Sequence, residues 1–162
     1  MIFSNLQKKI YTSYNNQYNV LTCKCPKLPT SNNADAIYIL ATMYYHGTYP
    51  IEKNRRKTVE FYEKAIALNH NISMYNLGSM YFSGDHPDGK NLNKAIKLFE
   101  KAAELNNVDA IYNLATLYLS EEHPEGKNIS KSIELNERAM QLGNDRAMCN
   151  LAILYLTGKH LE

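Results

Sequence analysis

A disulfide framework is beyond the means of this chain: its 162 residues include only three cysteines, Cys23, Cys25 and Cys149, an odd, sparse set. Cys23-Lys-Cys25 offers two thiolates at most, and no His or Cys pair completes the four ligands that zinc takes. All three read as reduced thiols. An excess of one charge is also lacking, since 18 Lys and Arg stand against 16 Asp and Glu. The single basic knot, Lys53-Asn-Arg-Arg-Lys57, reads as a solvated helix start, not as the clustered basic stripe of a nucleic-acid-binding surface. No apolar run approaches the ~20 residues needed to cross a bilayer, and Met1–Ile10 has no secretory apolar core. These absences point to a cytoplasmic protein, or one at work in a host cytosol, with neither nucleic acid nor membrane as partner. The sequons at Asn71 and Asn128 would matter only on secretion.

What the chain does have is 44% apolar content, enough for the core of one domain, and an internal period. Ser73-Met-Tyr-Asn-Leu-Gly-Ser-Met-Tyr81 recurs in variant form upstream and downstream. The first small residue of each copy falls at Ala36, Ser73, Ala110 and Ala147, always 37 residues apart, a spacing that belongs to stacked repeats. The units run 34–70, 71–107 and 108–144, with a half unit at 145–162. Residues 1–33 do not fit the repeat. There, Ser4-Asn-Leu-Gln7 reads as a capping box, and Leu6, Ile10 and Tyr14 share one face of a short helix that would cap the first unit. Asn15–Asn33 reads as a loop ending in an N-cap. The abundance of Asn, Lys, Ile and Tyr is assigned no mechanism.

Each unit divides into helix A, a turn and helix B. The A segments are Ala34–His46, Ile72–Ser83, Asp109–Ser120 and Arg146–Thr157. Leu40, Leu77, Leu114 and Leu151 form one column, and Tyr44, Tyr81, Tyr118 and Tyr155 form another four residues on, on the same face. Between them Ala41, Gly78, Ala115 and Ala152 admit a close neighbour. Gly47, Gly84 and Gly158 are helix stops, while Glu121 in the third copy predicts a looser end. The B segments begin after the N-caps Asn54, Asn91 and Asn128 and run to about Leu68, Leu105 and Leu142. The columns expected to face helix A are Val59/Ile96/Ile133, Ala65/Ala102/Ala139 and Leu68/Leu105/Leu142. Stacking three or four such pairs buries apolar faces that one pair could not.

Leu77-Gly-Ser-Met-Tyr81, followed by Ala95-Ile-Lys-Leu-Phe99 and Ala102, resembles the tetratricopeptide pattern. The loop inserted between A and B, with Tyr-Phe-Ser-Gly before it and Lys101-Ala-Ala103 in helix B, resembles the longer-looped Sel-one-like repeat family over residues 34–162. His86-Pro-Asp-Gly-Lys-Asn91 and His123-Pro-Glu-Gly-Lys-Asn128 depart from that family's usual loop, and Phe61, Leu98 and Leu135 stand in its tryptophan column. The resemblance implies an all-α fold, a right-handed α-solenoid of antiparallel helix pairs with about three and a half repeats. It also implies a non-enzymatic adaptor that binds a protein or extended peptide on the concave face. Cysteine-rich members described as binding or hydrolysing β-lactams resemble disulfide-stapled chains, and this sequence has no such pairing. A purely structural piece of a longer solenoid is the other alternative.

No cofactor or metal is expected. Gly84-Asp-His-Pro-Asp-Gly89-Lys90-Asn91 is one residue short of a phosphate loop and follows a helix where such a loop follows a strand. His86 and His123, with Asp88 and Glu125 nearby, read as solvated turns, since two ligands on different loops do not make a metal site. No catalytic Ser–His–Asp or Cys–His arrangement can be assembled.

The polar column Asn76, Asn113 and Asn150, just before the core leucines, calls for a reason, because asparagine is a poor helix former. Two remain open: a repeated hydrogen bond between units, or a ladder of amides that would hold the backbone of an extended peptide. In the second case Tyr38, Tyr75 and Tyr112, with Thr42, Ser79 and Thr116, furnish the same wall, and Cys149 replaces the tyrosine of the last copy. Arg146–Thr157 is apolar around much of its circumference, so its free face is expected to be covered by a second protomer, by the partner, or by further chain.

Overall fold

The structure, a computed structural model, describes residues 33–48 and 51–157. The helix expected near Leu6, the Cys23–Cys25 pair and the stop at Gly158 lie outside them. The chain falls into two compact units, residues 1–70 and 71–162. The first contains α1 (Ala34–His46) and α2 (Arg55–Ile66); the second contains α3 (Asn71–Ser83), α4 (Leu92–Glu104), α5 (Val108–Leu117), α6 (Ile129–Gln141) and α7 (Asp145–Leu156). These seven helices, with no strand among the described residues, form an all-α solenoid of repeats. None is long and apolar enough to cross a membrane.

Asparagine does most of the punctuation. Asn54, Asn91 and Asn128 accept the backbone N–H of Lys57, Lys94 and Lys131 at 3.0, 3.0 and 2.9 Å, as expected for the B helices. Asn33, Asn107 and Asn144 do the same for Ala36, Ala110 and Ala147 at the A helices. The asparagine content therefore does have a mechanism: it satisfies orphan N–H groups at six helix starts. Asn69 and Asn106 adopt φ of 59° and 57° in the turns leaving α2 and α4, a left-handed conformation that asparagine tolerates better than most residues. Gly47, at φ 71°, closes α1 by donating to the Met43 carbonyl at 2.9 Å. Where Glu121 replaces that glycine, α5 ends at Leu117, before the expected Ser120. Leu119 and Ser120 then donate to the carbonyls of Thr116 and Leu117, in the tighter i→i+3 pattern.

In the second unit α4 packs between α3 and α5, and α6 between α5 and α7. Leu77, Leu114 and Leu151 are buried as expected. On helix B the facing columns are Thr58/Ala95/Ser132, Tyr62/Phe99/Asn136 and Ala65/Ala102/Ala139, all buried. Val59 and Ile133 are only half-buried, and Leu68, Leu105 and Leu142 are exposed. Helical spacing from Ala65 would place Leu68 inside, but α2 stops at Ile66 and the turn carries the leucine outward; the other two copies repeat this.

Helix α7 provides a comparison within one chain. Position by position, Met74 and Ile111, in units that have a B helix, are 4% and 0% exposed, whereas Met148 is 54% exposed. Tyr81 is buried and its counterpart Tyr155 exposed, and Ile153 and Leu156 are open too. Leu151 and Leu154 are buried.

Candidate functional site

The asparagine column does not behave as one set. Asn150 donates from Nδ2 to Oδ1 of Asn136 at 3.4 Å. Asn136 is fully buried and donates in turn to the carbonyl and Oγ of Ser132 at 2.9 and 3.2 Å. The Ser132 hydroxyl donates to the Ala115 carbonyl at 2.7 Å. A buried polar chain thus ties α5, α6 and α7 together, and in this copy the hydrogen bond between units is present. One repeat earlier the column position of Asn136 holds Phe99, which has no amide to offer. Asn113 there is half-buried, has no side-chain hydrogen bond among the described residues, and borders a cavity of about 180 Å³ that Phe82, Phe99 and Leu117 also line. Asn76 on α3 is half-buried as well.

The other members of the expected wall are largely engaged within the protein. Tyr38 stacks near Tyr62 and His70, with ring centroids 6.2 and 5.0 Å away. Tyr75 tilts over Phe99 at 5.9 Å. The guanidinium of Arg146 lies 4.6 Å from the Tyr112 ring while its Nη2 pairs with Asp109 at 2.8 Å. Thr42 and Thr116 donate their hydroxyls to the carbonyls of Ile39 and Tyr112 at 2.7 and 3.0 Å, whereas the Ser79 Oγ is buried with no partner among the described residues. Cys149 is exposed.

The histidine loops are not the solvated turns expected from sequence. His86 and His123 are only 7% and 5% exposed, because their rings stack on Tyr81 and Tyr118 at centroid distances of 3.8 and 4.2 Å. Each Nδ1 accepts the backbone N–H two residues on, from Asp88 at 3.0 Å and Glu125 at 3.2 Å, so the remaining proton sits on Nε2. The recurrence of histidine five residues after the column tyrosine was the available signal. Beside His123, Tyr118 has its phenol held above the usual value, first by burial, then by Glu100 and Glu125, with Lys131 opposing. No group of three metal-ligating side chains occurs among the described residues. Lys90 of the glycine-rich loop reaches Glu122 at 3.1 Å.

Paired helices repeating at a fixed period define a repeat solenoid. The Sel1 repeat model matches residues 34–70, 71–107, 108–144 and 145–162, and the chain belongs to the Sel1 repeat family, whose members commonly serve as protein-interaction modules. No curated protein sequence matches the chain. Among solved structures, it is similar to a Sel1 repeat protein from Oxalobacter formigenes, with 26% identity, a TM-score of 0.75, and coverage of 95% of this chain and 61% of that one. A protective antigen of uropathogenic Escherichia coli strains that displays an SLR fold is also 26% identical, with a TM-score of 0.68 and coverage of 79% and 27%. A Pseudomonas aeruginosa protein is 25% identical, with a TM-score of 0.53 and coverage of 79% and 47%. The chain thus spans less than two thirds of each of these structures.

Proposed function

We propose that this protein is a non-enzymatic interaction module that holds an extended protein segment along its A-helix face through Asn76 and Asn113, with Tyr75 and Tyr112 beside them. The observation that carries this reading is the contrast within one column. Asn150 spends its amide on Asn136, whereas Asn113 stands at the rim of an apolar cavity with its donors and acceptor uncommitted among the described residues. An amide so placed can bond both the N–H and the C=O of a passing backbone. Asn113→Ala is expected to weaken partner binding about 3- to 10-fold, the effect of a net hydrogen bond or so, and to leave the melting temperature nearly unchanged. Asn150→Ala is expected to do the reverse, lowering stability by about 1–3 kcal/mol because the buried Asn136 Oδ1 loses its donor. Calorimetric titration of a captured partner and thermal melts read the two effects separately. Equal melting losses with unchanged affinity return the whole column to a structural role.

The reading also includes self-association through α7, since Met148, Ile153 and Leu156 present an open apolar strip. Leu154, at 3% exposure, belongs to the fold, so the test substitutes Met148→Glu and Leu156→Glu. Light scattering should find a wild-type mass that grows with concentration and a variant that stays monomeric. A wild type monomeric at high concentration, with no gain in solubility in the variant, defeats this.

A further inference from the structure

The cavity beside Asn113 has a size that limits what can enter it. At about 180 Å³ it is close to the ~150 Å³ apolar cavity that takes up one benzene. It falls well below the ~300–1,000 Å³ typical of pockets for larger ligands. Phe82, Phe99 and Leu117 give it apolar walls. Among the described residues, each polar side chain of its lining but one makes a hydrogen bond within the protein. Thr116 and Ser120 donate their hydroxyls to the carbonyls of Tyr112 and Leu117 at 3.0 and 2.9 Å. Glu122 accepts from Lys90 at 3.1 Å, so the rim makes no demand for a charged group. Among the described residues of the lining, Asn113 is the polar side chain with no hydrogen bond of its own, and an amide is matched by a peptide group. An apolar hole of one-ring volume with a single peptide-recognising group at its edge fits one residue of an extended chain.

Building on the function proposed above, we propose that this cavity is a socket for one aromatic or branched apolar side chain of the bound protein segment, whose adjacent peptide group hydrogen-bonds Asn113. Selectivity at this position then comes from the socket, and Asn113 fixes the backbone over it. The next position along the array has no equivalent freedom, because Asn150 is held by Asn136. The segment is therefore held at Asn76 and Asn113 and not at Asn150, with one side chain seated in the socket beside Asn113.

The test uses the whole chain and N-acetyl-phenylalaninamide as the probe, with N-acetyl-alaninamide as the control. In ¹H–¹⁵N spectra the phenylalanine compound should shift the Asn113 side-chain amide and the α5 resonances saturably. Its affinity should exceed that of the alanine compound about tenfold or more, the value of burying one ring. Thr116→Trp, which places a ring over the hole, should abolish the effect while the circular dichroism spectrum is kept; Ser120→Leu is a second filling variant should the first misfold. Equal shifts by the two compounds, or full binding by a folded filled variant, overturn the socket. Selection of random heptapeptides on the wild type separates this from the wider reading. Binders that depend on Asn76 and Asn113, but show no apolar preference and tolerate Thr116→Trp, retain the groove and overturn the socket. A socket that takes the phenylalanine compound while no heptapeptide binds supports the socket and removes the groove.

Discussion

Phe99→Ala is expected to remove about 3–5 kcal/mol from the stability of the second unit, a large share of the ~5–15 kcal/mol that holds a typical domain. The ring is 1% exposed and meets α3 at its glycine. A Cβ built on Gly78 would lie 2.8 Å from the Phe99 ring, closer than real contacts allow. The glycine is there because helices α3 and α4 approach through that gap. This makes the pair testable as a cycle. Gly78→Ala alone should destabilise by about 1–3 kcal/mol through overpacking, outweighing the ~1 kcal/mol that alanine gains over glycine in a helix. In the Phe99→Ala background the same change should cost much less, since the ring is gone and the Ala95 carbonyl at 3.3 Å is the tight contact that remains. Denaturant unfolding followed by circular dichroism measures all four corners. Additive losses would mean that the ring and the glycine do not meet.

Asn136→Asp should be the most damaging conservative substitution, and its effect should depend on pH. The amide is fully buried and donates two hydrogen bonds to Ser132. An ionised carboxylate has no donor and would face the Ser132 carbonyl unpaired, a loss of about 3–5 kcal/mol at pH 7. Burial raises such a carboxyl's pKa in the folded state above the ~3.9 of the unfolded chain. Below that unfolded value both states are protonated, and the neutral acid can still donate to Ser132 and accept from Asn150. As pH rises from there, the folded state must hold a proton that the unfolded state has released, so the deficit against wild type grows until the folded-state pKa is passed. Paired melts of variant and wild type at pH 4 and pH 8 should differ least at the lower pH. A deficit of the same size at both would mean that the site admits water.

The helices were legible because their signals are local. The side chain of Asn91 bonds the N–H of Lys94 within its own turn, and Gly47 closes α1 through its own φ. The repeat itself came from spacing alone. What depends on a second element was not legible. Nothing near Leu105 in the chain says that α4 ends one residue before it. The burial of His123 needs the Tyr118 ring beneath it. Asn113 and Asn150 look equivalent along the chain, and only the helix behind each separates them, by presenting Phe99 to one and Asn136 to the other. The column was visible, but which of its amides are engaged was not.

Units of one pattern in tandem invite a particular folding error, in which a helix docks one period out of place. The polar chain through Ser132, Asn136 and Asn150 works against it. Were α7 to slip back onto α4, Asn150 would meet the Phe99 ring, and Asn136 would lose the donor that answers its Oδ1. A buried amide left unanswered costs about 1–3 kcal/mol, so the slipped stack is penalised at both ends of the same contact. The one copy that breaks the aromatic column thereby gives α7 a single correct address in the array.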